Sequence, residues 1–217
     1  MNEPLISPAA ALPHDQTDIW AIVPAGGTGS RVGAAIPKQY LKLLQRAGKS
    51  VSVIEETVAT LLRCVSISRV IVVVAPDDAY ASRVFGELVL THKSRLELLF
   101  QGGVTRRDTV LAGCRHILNT SKFESAWCLV HDAARPGISE TTVEAMIEQL
   151  RFHPVGGLLA MPLADTVKQS ISKDSNAVSG TLDRATLWSA QTPQMFPLMM
   201  LTDALANNAD VTDEASE

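Results

Sequence analysis

Ile19-Trp20-Ala21-Ile22-Val23-Pro24-Ala25-Gly26-Gly27-Thr28-Gly29-Ser30-Arg31 begins as an apolar run and ends in a loop of glycines. The run reads as a strand buried on both faces, as strands of a parallel sheet are. The loop is too rich in glycine for side chains to fill it. Glycines let backbone N–H groups approach an anion closely, and a row of such donors forms an anion-binding nest. Arg31, and then Lys38 within Pro37-Lys38-Gln39-Tyr40, add full positive charges to that cradle. A triphosphate fits this description; the structural alternative is a plain tight turn.

Two commoner phosphate-binding patterns fail on spacing. A P-loop needs G-x-x-x-x-G-K-[ST], and Gly48-Lys49-Ser50 lacks the upstream glycine and follows no strand. The dinucleotide fingerprint needs G-x-G-x-x-G, whereas Gly27, Gly29 and Gly33 give G-x-G-x-x-x-G. The carboxylate expected about 20 residues further on, at the end of a second strand, is also missing.

Downstream, strand-like and helix-like segments alternate. Strands are expected at 19–24, 69–75, 96–100, 126–131 and 157–161, with helices at about 53–64, 77–90, 105–118 and 140–151. This alternation signals βαβ units and a mostly parallel sheet covered on both faces. Thr105 and Asp108 make a capping-box pair that starts a helix directly after Gly102-Gly103. From Asp165 to Arg184 the chain is polar and loses helical periodicity, which reads as a protruding β-arm or as a surface loop. In open α/β sheets ligands sit beyond the C-terminal strand ends. Four polar clusters converge there: the first glycine loop, Gly102-Gly103, His131-Asp132-Ala133-Ala134-Arg135, and Pro162 to Thr166.

At 217 residues, 46% hydrophobic and 19% charged, the chain is long enough for one substantial domain, expected over 18–217. Residues 1–17, rich in Ala and Pro, read as a disordered tail without the cationic start and apolar core of a signal peptide. A net charge of −4 argues against a general nucleic-acid surface. No apolar run of about 18 residues suggests a membrane span. Cys64, Cys114 and Cys128 lack metal or disulfide spacing and read as small core residues of a cytoplasmic protein.

Taken in order, these motifs resemble the 2-C-methyl-D-erythritol 4-phosphate cytidylyltransferases of the non-mevalonate isoprenoid pathway. The carriers are the two opening motifs, Arg106-Arg107-Asp108-Thr109-Val110, Val130-His131-Asp132-Ala133-Ala134-Arg135-Pro136, Asp165-Thr166-Val167-Lys168, Asp183-Arg184, Thr192-Pro193-Gln194 and Thr212-Asp213-Glu214-Ala215-Ser216. The resemblance implies an α/β, Rossmann-like sheet of nucleotide-diphospho-sugar transferase type with helices on both faces. It also implies transfer of CMP from CTP to a methylerythritol phosphate with Mg²⁺, pyrophosphate being released. A homodimer is implied, in which an arm at about 165–185 reaches into the neighbouring site.

By the same resemblance Arg31, Lys38 and Arg184 are catalytic. Pro24, Ala25, Gly26, Gly27, Thr28, Gly29, Gly103, Arg106 and Thr109 bind CTP. Asp132, Arg135, Thr166, Arg184 and Thr192 hold the acceptor, with Asp132 facing substrate hydroxyls or a metal-bound water. Mg²⁺ rides mainly on the nucleotide phosphates. The residues also admit plainer readings: Thr109 as a helix hydroxyl, Asp132 and Arg135 as a local ion pair. His131 reads as a hydrogen-bonded structural residue, and Lys168 as solvated. Val104 stands where relatives often carry an acid. Relatives also continue past the position of Glu217, through an Asn-hydrophobic-Lys segment, so the C-terminal end reads as truncated. Ribitol phosphate or another polyol phosphate is the alternative acceptor, and a catalytically inactive nucleotide-binding homologue the alternative class.

Overall fold

The computed structural model describes residues 18–27, 36–46, 49–121 and 125–207. The tail expected at 1–17, the loop residues Thr28, Gly29 and Arg31, and the motif Thr212 to Ser216 lie outside them.

The opening apolar run forms β1 (Ile19–Ala25). A hairpin, β2 (Lys42–Arg46) and β3 (Lys49–Ser52), leads into α1 (Val53–Arg63). Then come β4 (Arg69–Val74), α2 (Ala81–Thr91), β5 (Leu96–Leu99), α3 (Arg106–Thr120), β6 (Trp127–Val130), α4 (Glu140–Leu150) and β7 (Gly157–Pro162). A second hairpin, β8 (Lys168–Ser170) and β9 (Val178–Thr181), precedes β10 (Trp188–Pro197) and α5 (Leu198–Asn207). The main sheet runs β5-β4-β1-β6-β10-β7.

β1 lies between β4 and β6, parallel to both, with Ile22 opposite Ile71 on one side and Val130 on the other. Its side chains divide by the two-residue period of a strand. Ile19, Ala21, Val23 and Ala25 enter the core under α1, α2 and α4, while Trp20 and Ile22 enter the one under α3 and α5. β4 and β6 divide in the same way. Both faces are thus dry, which is why these strands read as unbroken apolar runs rather than alternating ones. α3 comes close to β1 at Gly113, where an added Cβ would lie 2.8 Å from the Ile22 Cδ1.

The mostly parallel sheet and its helices agree with the sequence expectation. α2 begins later than expected, at Ala81, because Asp78 Oδ1 accepts the N–H groups of Tyr80 and Ala81 at 2.8 Å and keeps the preceding residues in a turn. The hairpin β2–β3, β10 and α5 add to the elements expected from sequence. β10 pairs antiparallel with both β6 and β7. Pro193 sits where its register with β7 shifts, between Ala190 and Gln194, the kind of site at which a strand admits a proline. All three cysteines are buried and none is in a disulfide. Among the described residues no helix is long and apolar enough to cross a membrane.

Candidate active site

The end of β1 brings Pro24, Ala25, Gly26 and Gly27 against the loop after β5. Gly102 donates its N–H to the Val74 carbonyl at 2.7 Å. A Cβ on Gly102 would lie 2.8 Å from that oxygen and 3.0 Å from the Gly26 Cα; one on Gly26 would meet Thr109 Oγ1 at 2.8 Å. Backbone faces backbone between the two loops, with no room for a side chain. Gly103 donates to Thr109 Oγ1 at 3.1 Å, and that buried hydroxyl donates onward to the Thr105 carbonyl at 2.9 Å. The Thr105–Asp108 capping box is present as the spacing indicates, so the start of α3 sets the place of Gly103.

Lys38 leads a single 3-10 turn, Lys38–Tyr40, with its side chain exposed. The two residues after it are buried. Gln39 Nε2 donates to the carbonyls of Ala25 and Gly27, both at 3.3 Å. Tyr40 donates its hydroxyl to Asp78 Oδ2 at 2.8 Å and stacks on Tyr80 with ring centroids 5.2 Å apart. Burial, with the Asp78 carboxylate beside it, pushes the Tyr40 phenol far above its ordinary range. It is therefore a permanent donor.

Beyond β6, Asp132 holds two guanidinium groups. Arg106, from the first turn of α3, reaches Oδ1 at 2.9 and 3.0 Å; Arg135 reaches Oδ2 at 3.0 Å. Arg135 also donates to Gln191 Oε1 on β10. The local pair Asp132–Arg135 thus exists, and Arg106 joins it, so residues assigned separately to CTP and to the acceptor share one carboxylate. The cluster carries a net positive charge and is partly open to solvent, as an anion site requires.

His131 braces the same turn from below. A carbonyl can only accept, so Nε2 donates to the Arg135 carbonyl at 3.0 Å. Nδ1 then accepts from Thr192 Oγ1 at 3.0 Å, and that hydroxyl accepts the Asp132 N–H at 3.2 Å. His131 is 1% and Thr192 8% exposed. His131 is structural, as the sequence indicated, and Thr192 ties β10 to the Asp132 turn.

Burial holds the His131 imidazole below its ordinary pKa. The unfolded chain binds that proton at about pH 6.5. Between that pH and the lower folded-state value the unfolded state holds more protons, so stability is full above the window and falls with pH through it. The melting temperature is expected to drop between about pH 7.5 and about pH 5.5, and to drop less in His131→Gln. Equal drops in the two proteins would remove His131 as the cause.

Thr166 and Arg184 are both exposed, at the base of the β8–β9 hairpin. Arg184 donates to the Ala164 carbonyl, and Leu182 N–H to the Val167 carbonyl at 3.0 Å, which brings the two ends of the arm together. Lys168 is exposed and donates to Thr181 Oγ1 at 2.7 Å. The bonds that Arg184 makes stay within its own arm, whereas the Asp132 cluster bonds to α3 and β10.

The family model described as IspD, 2-C-methyl-D-erythritol 4-phosphate cytidylyltransferase, matches residues 19–217. The chain belongs to this family. The 2-C-methyl-D-erythritol 4-phosphate cytidylyltransferase of Dechloromonas aromatica is 45% identical over 197 residues, covering 90% of this chain and 81% of the relative. That of Burkholderia vietnamiensis is 40% identical over 203 residues, covering 91% and 81%. A crystal structure of 4-diphosphocytidyl-2C-methyl-D-erythritol synthase, 35% identical, superposes with a TM-score of 0.75 over 92% of this chain and 83% of that one.

In this IspD-family cytidylyltransferase, Gln39, Asp78 and Gln191 were not singled out from sequence. Gln39 carried a faint signal as the amide beside Lys38. For Asp78 the bond to Tyr40 spans 38 residues, and only its local bonds to the Tyr80 and Ala81 N–H groups are of a kind a sequence can signal. The bond of Gln191 to Arg135 spans 56 residues and carried no signal.

Proposed function

We propose that this enzyme transfers CMP from CTP to 2-C-methyl-D-erythritol 4-phosphate, releasing pyrophosphate and giving 4-diphosphocytidyl-2-C-methyl-D-erythritol for isoprenoid synthesis. The observation that carries this is membership of the family along 19–217. The geometry supports it by gathering the glycine loops, Lys38 and the Arg106–Asp132–Arg135 cluster about the ends of β1, β5 and β6.

An acceptor phosphate oxygen attacks the α-phosphorus of CTP. The new P–O bond forms as the bond to the bridging oxygen breaks, and negative charge builds on the equatorial and leaving oxygens. Arg31 and Lys38 are assigned as the cations that meet that charge, so the catalysis is largely positioning and electrostatic stabilisation. Pro24 to Gly29 and Gly103 supply backbone groups for the nucleotide. Thr109 serves by holding Gly103. Arg106 lies on the CTP side of Asp132, and Arg135 on the acceptor side. Thr192 supports the acceptor side through Asp132.

Mg²⁺ fits as a passenger on the triphosphate. Among the described residues no group of three or more His, Cys, Asp or Glu side chains forms a cage. Both oxygens of Asp132 already accept from arginines, which leaves it to meet only the ion's waters. The ion would neutralise phosphate charge there.

The arm is assigned to a homodimer in which Thr166 and Arg184 reach the partner's acceptor phosphate. No residue between 151 and 191 is buried. Met161 and Trp188 are each 62% exposed, and Ile171 is 66% exposed. A partner would cover these apolar side chains. Mixing Arg184→Ala with Arg31→Ala protein is expected to restore roughly one quarter of wild-type turnover, since half the dimers are mixed and each of these holds one intact site. No recovery after demonstrated subunit exchange would place both residues in one subunit's site.

The assignment is tested by Mg²⁺-dependent pyrophosphate release from CTP, with methylerythritol phosphate and ribitol phosphate as rival acceptors. Preference for the former is expected. Preference for the latter would move the acceptor, and silence with both, alongside CTP binding, would leave a nucleotide-binding homologue.

A further inference from the structure

We propose that Gln39 is a positioning residue for CMP transfer: its carboxamide locks the turn that carries Lys38 to the carbonyls of Ala25 and Gly27. The inference rests on the activity proposed above and assigns Gln39 a part in it.

A glutamine amide has two N–H donors in one plane. Here Nε2 sends both to one short stretch of backbone, the Ala25 and Gly27 carbonyls, each at 3.3 Å. Gln39 is 4% exposed. Burying an amide without partners is unfavourable, so a residue that only filled space here would be apolar. The two bonds explain why an amide is tolerated.

The 3-10 turn makes the arrangement possible. With three residues per turn, successive side chains leave in three directions. Lys38 goes outward, Gln39 to the glycine loop and Tyr40 to Asp78. Asp78 also caps the start of α2 through the Tyr80 and Ala81 N–H groups. The turn is therefore clamped to a helix on one side, and Gln39 passes that rigidity to the loop on the other.

In a trans peptide the C=O and N–H groups point opposite ways. Holding the Ala25 carbonyl toward Gln39 turns the Gly26 N–H away from it. One amide thus sets both the direction of a loop donor and the distance from that loop to the Lys38 cation. Fixed cations and donors stabilise a transition state only if they need no rearrangement when it forms.

The test is a double-mutant cycle on kcat/KM for CTP, with Gln39→Met as the isosteric change lacking both donors. Gln39→Met alone is expected to lose ~10²-fold, the usual cost of a misplaced catalytic group, with a melting temperature lowered by no more than ~4 °C. Added to Lys38→Ala it should cost less than about 3-fold more, because residues acting as a unit are strongly non-additive. A general structural defect would instead multiply with the loss from Lys38→Ala. Multiplicative losses, or near-wild-type activity in Gln39→Met, would overturn the proposal. If Gln39→Met melts below the assay temperature, Gln39→Asn takes its place, keeping the amide but too short to reach both carbonyls.

Should the wild-type enzyme make no product, the activity assignment fails by itself. Calorimetric titration with CTP then decides the Gln39 question. A Kd weakened by about tenfold in Gln39→Met, or about 1.4 kcal/mol, upholds it, and an unchanged Kd overturns it.

Discussion

Lys38→Ala lowers kcat for CMP transfer by ~10²–10³-fold, equivalent to roughly 3–4 kcal/mol of barrier, and leaves the fold intact. The side chain is exposed while the turn that bears it is held by Gln39 and Tyr40. Truncation at Lys38 removes a charge without disturbing either anchor. Its effect belongs in the transition state, where the triphosphate gains charge on its equatorial and leaving oxygens, so KM for CTP should change less than kcat. Near-normal turnover in a protein with unchanged melting behaviour would refute the role.

Asp132→Ala is expected to be comparably severe, and to act on both substrates. The carboxylate bridges Arg106 and Arg135, and its loss leaves two guanidinium groups close together without their shared anion. They repel, and Arg106 leaves the position that the proposed function assigns to it on the CTP side. We expect kcat/KM to fall ~10²–10³-fold, with KM rising for CTP as well as for the acceptor. Asp132→Asn keeps an acceptor oxygen and loses the charge, and should fall between the two. A KM change confined to the acceptor would show that Arg106 holds its place without Asp132.

The central strands β1, β4, β5 and β6 and helices α1, α3 and α4 were legible because each carries its own signal. The strands are apolar runs bounded by polar residues, the helices carry helical patterns between them, and α3 has its capping box. β10 was not legible. Its segment contains Gln191, Thr192, Pro193 and Gln194, and a proline argues against a strand inside a sheet. The shift of register at that proline resolves the conflict, and it depends on β6 and β7 rather than on β10 itself.

For the site, Gly103, Arg106, Asp132 and Arg135 lie at the strand and helix ends where their motifs fall, while Lys38 lies in a 3-10 turn. Their grouping was less visible: CTP-side and acceptor-side residues appeared as separate sets, whereas Asp132 joins them. Thr192 shows the same limit, since its hydroxyl is spent on His131 and the Asp132 N–H, which only the fold brings within reach. Thr109 bonds within its own first helical turn and to Gly103, as the helix-hydroxyl reading has it.

What the sequence by itself determined is what local chemistry dictates. Apolar runs must be buried on two faces, and glycines at Gly26, Gly102 and Gly103 must lie where backbone approaches backbone. Thr105 and Asp108 must start a helix, and cations near a glycine loop must face an anion. What only the tertiary structure decided is which distant groups share a proton or a charge. Gln39 and the Ala25 carbonyl lie 14 residues apart, Arg106 and Asp132 26 residues, and His131 and Thr192 61 residues. No periodicity or propensity encodes such pairs. They arise because tertiary packing brings the groups together: the turn after Pro37 against β1, α3 against the end of β6, and β10 against β6. There the buried donors of Gln39 and Thr192 find acceptors that burial forbids them to be without.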